Sequence, residues 1–197
     1  MDTIAQCSHI HIPPEVSKVD LSEITYLGYV IGERAWQLKV DSDFSPYIMS
    51  LIAGALWPSK TEIKARCLNV PCLENNGKIF TETCKQICGI YAFKKDGYFK
   101  FPQYAILGEV ALWGKITIHE FGYRAECAYP LSFKSSQCWR CNKRNRIQET
   151  NFHIVDGKTD LYPLCQSCLF ARPSNIFIDG IEMAKRLSEN YGVECLE

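Results

Sequence analysis

Two Cys-x-x-Cys pairs near the C-terminal end constrain this chain more than any other feature. They read Cys138-Trp139-Arg140-Cys141 and Cys165-Gln166-Ser167-Cys168, with 23 residues between them. Each pair forms a tight knuckle presenting two thiolates, and two knuckles supply the four sulfurs of a tetrahedral zinc site. The separation slightly exceeds the usual ribbon spacing, yet it suffices for a hairpin that returns the second pair to the first. The pattern predicts one Zn²⁺ held by Cys138, Cys141, Cys165 and Cys168. Four protein ligands leave no open position for a catalytic water, so the expected role is structural.

The bulk composition narrows the function classes. A chain of 197 residues with 47% apolar content suits one globular domain, or one with a small appendage. Lys plus Arg and Asp plus Glu both number 22, which argues against attraction of the whole chain to nucleic acid or an anionic membrane. The first residues, Met1 to Ala5, lack the basic and apolar regions of a secretory signal. The longest apolar run, Ile48 to Trp57, is too short for a membrane span and is interrupted by Ser50 and Gly54. A cytoplasmic protein is expected. In a reducing compartment the eleven cysteines read as metal ligands and buried thiols rather than disulfides.

Apolar periodicity gives an α+β fold: a β-rich main domain over 1–133, then a zinc-ribbon or treble-clef-like module with a terminal helix over 134–197. Residues 26–40 are β-rich, and Gly28 and Gly32 suggest a hairpin there. Residues 47–57 read as a short strand or a helical turn. The segments 109–113 and 115–119 read as a strand pair, with Gly114 allowing a bulge or sharp bend. Residues 123–129 form another strand, closed by Pro130. Asp179 can cap a last helix with Ile181, Ala184, Leu187 and Tyr191 on one face and Gly192 as its stop.

Three further groups are candidates for chemistry. Cys67, Cys72, Cys84 and Cys88 fall within 22 residues in a loop segment, 66–89, and form a possible second metal site without standard double-knuckle spacing. One alternative is a mixture of core thiols and a redox pair. His119, Glu120, Tyr123 and Arg124 could share a face of an antiparallel pair, where His and carboxylate suit acid–base work and Arg suits an anion. The ordinary alternative is a surface ion pair beside a solvated histidine. Lys134, Arg140, Lys143, Arg144 and Arg146 fall within 13 residues with no acid among them. Such cations contact phosphates, but they also offset the −2 charge of a four-thiolate zinc centre.

The segments Cys88-Gly-Ile-Tyr-Ala92, Val110-Ala-Leu-Trp-Gly114 and Gly122-Tyr-Arg-Ala-Glu126 with Ala128-Tyr-Pro130 occur in this order. Over about residues 26–133 the chain thereby resembles an uncharacterised domain of bacterial proteins. In that family a cysteine, often a histidine, and a close cysteine pair precede GIYA. Here the pair is opened to Cys84-x₃-Cys88, with Cys72 just after Pro71. The resemblance implies a metal role for the loop and implies no activity.

No HExxH, phosphate-loop, G-x-S-x-G or paired-carboxylate signature is present. The leading expectation is a zinc-binding, non-enzymatic interaction module, with a protein partner favoured over nucleic acid. The alternatives are a nucleotide or small-ligand pocket, or an enzyme, centred on His119, Glu120, Tyr123 and Arg124, and a thiol-based redox or metal sensor.

Overall fold

The computed structural model describes residues 23–25, 28–51, 54–65, 89–95, 104–154, 159–170 and 177–195. Its framework is two long antiparallel strands, β6 (Ala105–Ile118) and β7 (Gly122–Gln137), paired from Ile118↔Tyr123 to Ile106↔Ser136. On the far side of β6 lies β2 (Val30–Val40), in register from Val30↔Leu112 to Gln37↔Ala105. On the far side of β7 lies β5 (Ile90–Phe93). Because β5 also pairs with β2 at Glu33↔Phe93, the pairings β2–β6–β7–β5 close on themselves like a small barrel. Closure removes unpaired edges and gives the core a single interior.

Shorter strands extend this frame. β1 (Glu23–Thr25) joins β6, β3 (Pro46–Ser50) joins β2, and β4 (Ile63–Lys64) joins β7. β8 (Arg144–Arg146) and β12 (Glu194–Cys195) also line β7. A separate three-stranded sheet places β9 (Thr150–Ile154) between β10 (Leu161–Cys165) and β11 (Phe177–Ile178).

The strand boundaries differ from the expected ones for identifiable reasons. Residues 109–119 do not fold back; they lie in and just beyond one strand. Gly114 has φ +76° at a register shift between Trp113 and Ile116, so it makes a bulge. Within the expected hairpin, Val30–Val40 form the single strand β2, and Gly32 sits inside it because a Cβ there would lie 2.8 Å from the Ala92 Cβ. β7 does not stop at Pro130. This proline lies opposite Val110 at another register irregularity, where the regular ladder is already interrupted. Gly108 serves close approach: a Cβ there would collide with the Ser132 carbonyl oxygen on β7.

The core is built on aromatic rings at right angles. Trp36 of β2 packs edge-on against Trp57 (5.5 Å) and Phe133 (5.6 Å), and Phe133 packs against Tyr191 (5.7 Å). Tyr191 ends a helix, α2 (Gly180–Tyr191), that buries Met183, Ala184 and Leu187 in the same core. The Asp179 side chain accepts from the Ile181 and Glu182 backbone N–H groups, and Gly192 at φ +63° ends the helix. Of the expected stripe, Ala184, Leu187 and Tyr191 are buried, whereas Ile181 is 68% exposed and Met183 lies inside. The 133/134 division falls inside β7, and residues from both sides share one core. No helix among the described residues is long and apolar enough to cross a membrane.

Candidate metal centre

β7 runs straight into the first knuckle. After Gln137 the chain turns. The Asn142 N–H donates to the Cys138 carbonyl (2.9 Å), and the Cys138 N–H donates to the Lys143 carbonyl (2.8 Å). Asn142 takes the left-handed conformation, φ +62°, which Asn tolerates better than most residues. Its position just after Cys141 was a readable turn signal that the motif reading passed over. Asn145 is buried and donates to the Lys143 carbonyl (2.9 Å), pinning the exit of the knuckle.

The second knuckle sits at the end of the β9–β10 hairpin. Cys165 closes β10 in extended conformation and precedes α1 (Gln166–Leu169), a single turn that carries Cys168. The knuckles are tied together beside the sulfurs. The Trp139 N–H donates to the Pro163 carbonyl (2.8 Å), and the Trp139 ring packs on Tyr162 at 5.2 Å. Leu164 is buried with Cys138 and Cys165, and Trp139 and Leu169 pack around them. The hairpin thus returns the second pair to the first, as the spacing requires.

The four Sγ atoms lie within 4.8 Å of one another, and Cys141 and Cys165 are 3.7 Å apart. A disulfide would bring two sulfurs to about 2 Å. A tetrahedral ion with metal–sulfur bonds of about 2.3 Å places its ligands about 3.8 Å apart. The observed separation fits the second case, and the four residues could hold one metal ion. Among the described residues this is the group of Cys, His and carboxylates that meets that condition.

The electrostatics show why four sulfurs need a cation. Burial opposes charge on Cys138, but backbone hydrogen bonds from Cys165, Cys141 and Arg140 outweigh it and bring the thiol to about 6. Cys168 is pushed up to about 12 by desolvation and by hydrogen bonds with Cys165, Cys141 and Cys138, with the Cys138 charge adding to them. Cys165 is also raised, first by desolvation. Burial, with the Cys138 charge added, thus disfavours a second thiolate at Cys168. A divalent cation at the centre of the four sulfurs reverses that preference.

The remaining candidates are placed as follows. Cys67, Cys72, Cys84 and Cys88 lie outside the described residues. Arg124 is buried on β7, where Nη2 donates to Thr117 Oγ1 (3.2 Å), and its stem passes over Gly89. His119 is half-buried at the end of β6; desolvation, then the charges of Arg124 and Lys94, hold its pKa below the usual value. Tyr123 alternates to the other face and packs on the core, while Glu120 is exposed in the turn. Thus His119 and Arg124 come near each other, whereas Tyr123 points away from them. Arg140, Lys143, Arg144 and Arg146 are all exposed.

The sequence reading missed Arg34. Its guanidinium lies 5.0 Å from the Trp57 ring centroid, donates to Ser50 Oγ (3.2 Å) and to the Tyr91 carbonyl, and desolvation lowers its pKa to about 10. Among the described residues no carboxylate pairs with it. Position 34 shares parity with Trp36 and Leu38, so a strand-face count could have placed it inward.

Comparison with protein-family models, curated proteins and solved structures gives no match for this chain.

Proposed function

We propose that the chain is a zinc-stabilised, non-enzymatic interaction module whose metal is structural. The observation that supports this reading is the closure of the site: four cysteine sulfurs within 4.8 Å of one another around one centre. An all-sulfur donor set suits Zn²⁺. The order of knuckle, β9–β10 hairpin ending in Cys165 and helical turn carrying Cys168 supports reading it as a treble-clef-like module. Bound there, the ion would offset two of the four thiolate charges and cross-link the end of β7 to the end of β10. With all four positions taken by protein, it would have none for substrate.

Metal removal tests this reading. A structural zinc contributes on the order of 10 kcal/mol to the folding of a small module. Chelation should release hydrogen-exchange protection across 138–168 and leave β2, β6 and β7 protected. Cys165→Ser should give the same local pattern without chelator. Unchanged protection of 138–168 after full zinc loss would reject the structural role.

A further inference from the structure

We propose that the exposed cationic run of the first knuckle, Arg140, Lys143, Arg144 and Arg146, binds the phosphodiester backbone of nucleic acid. This rests on the metal-centre reading, because the Cys138–Cys141 knuckle and β8 hold the run in place.

Four observations carry it. First, all four side chains are exposed, and among the described residues none forms an ion pair. Four cations elsewhere among the described residues do pair: Lys39 with Asp160, Lys64 with Glu62, Lys134 with Glu109 and Arg186 with Glu182. Lys134, part of the basic cluster in sequence, is therefore not available to the run. Second, Arg144 and Arg146 flank buried Asn145 on β8, so strand alternation puts both guanidinium groups on one face. Third, a Zn(Cys)₄ centre carries a charge of −2, and four cations exceed what its neutralisation requires. Fourth, no large apolar side chain within 134–149 is exposed. Protein interfaces have apolar or aromatic centres, and this face offers no exposed one. These features turn the expected preference for a protein partner toward a polyphosphate.

Three of the four cations are arginines, whose planar forks bind phosphate oxygens in pairs. Trp139 is engaged with Tyr162, so base stacking has no part here and the binding is independent of sequence.

The test is fluorescence anisotropy with labelled mixed-sequence oligonucleotides, as single-stranded RNA, single-stranded DNA and duplex DNA. With four phosphate contacts, raising salt from about 50 to about 200 mM should weaken binding about 150-fold for duplex and about 50-fold for a single strand. The arm bound most tightly at the lower salt identifies the source. Arg144→Gln alone should lower the log–log salt slope by about 1. The quadruple Gln variant should lose binding while retaining wild-type zinc content. A control with equal charge change, Lys60, Lys64, Lys94 and Lys95 to Gln outside the 134–149 segment, should bind as wild type does. Equal loss in both quadruple variants, or wild-type binding that ignores salt, overturns the proposal. So does equal displacement by polyglutamate of matched charge, which would assign the run to an acidic protein. Zinc content separates the two readings: intact zinc without oligonucleotide binding sinks this inference alone.

Discussion

Replacing Tyr191 by Phe removes one oxygen from the middle of the core and keeps the ring that packs on Phe133. That oxygen accepts from the Ile48 N–H (2.9 Å) and donates to the Trp57 carbonyl (3.1 Å), so it joins α2 to β3 and to the segment behind it. Tyr191 is 1% exposed, so its hydroxyl is shielded from bulk solvent. The variant strands a buried donor at about 1–3 kcal/mol and weakens a carbonyl at about 1 kcal/mol. A total near 3 kcal/mol corresponds to a melting shift of about 6–12 °C for a chain of this size. Urea unfolding at neutral pH, followed by the fluorescence of the neighbouring Trp36 and Trp57, should show a lower midpoint with unchanged slope. The alkaline limb gives an independent check. Burial first, then the charge of Tyr129, pushes the Tyr191 hydroxyl up to about 12 against the opposing Ile48 hydrogen bond. An unfolded tyrosine ionises near 10. The fold therefore holds the proton more tightly, and this contribution is complete below pH 10 and is lost as pH rises toward 12. The wild-type advantage over Tyr191→Phe should shrink across that window. A loss under about 0.5 kcal/mol at pH 7 would refute the reasoning about buried hydrogen bonds, as would a constant advantage from pH 9 to 12.

Two further outcomes follow from the packing and the polar face. Gly108→Ala places a methyl against the backbone oxygen of Ser132 at the β6–β7 crossing, so it should destabilise by more than about 3 kcal/mol or prevent soluble expression; a melting temperature within 2 °C of wild type would contradict that close approach. The His119 imidazole should titrate by NMR below its usual value, because burial and then Arg124 and Lys94 disfavour its charge; since the folded pKa is depressed, its contribution to stability is present above about pH 6.5 and is lost on acidification.

How much of this was legible in the sequence depended on the range of each interaction. The four-cysteine cluster was readable because a Cys-x-x-Cys knuckle is local and the two knuckles need only a hairpin to meet. Asp179 and Gly192 were readable because helix ends are set by a few neighbouring residues. The long strands were not. Gly114 and Pro130 ordinarily punctuate chains, but here β6 and β7 carry both through register shifts, because partners on either side hold the strands. Gly32 looked like a break, yet it is a place where β5 crosses closely. Barrel closure rests on Glu33↔Phe93, a pairing across 60 residues that no periodicity records. The polar group at 119–124 was read as one face; alternation sends Tyr123 inward and keeps Arg124 beside Thr117.

Zinc K-edge X-ray absorption on the purified chain, beside the variant with Cys138, Cys141, Cys165 and Cys168 all changed to Ser, tests the central claim most directly. The account predicts that the wild type holds one more zinc per chain than the variant, and that this ion sees four sulfurs at about 2.3 Å and no oxygen or nitrogen. Equal zinc in the two proteins, or a light-atom ligand at this ion, would contradict it.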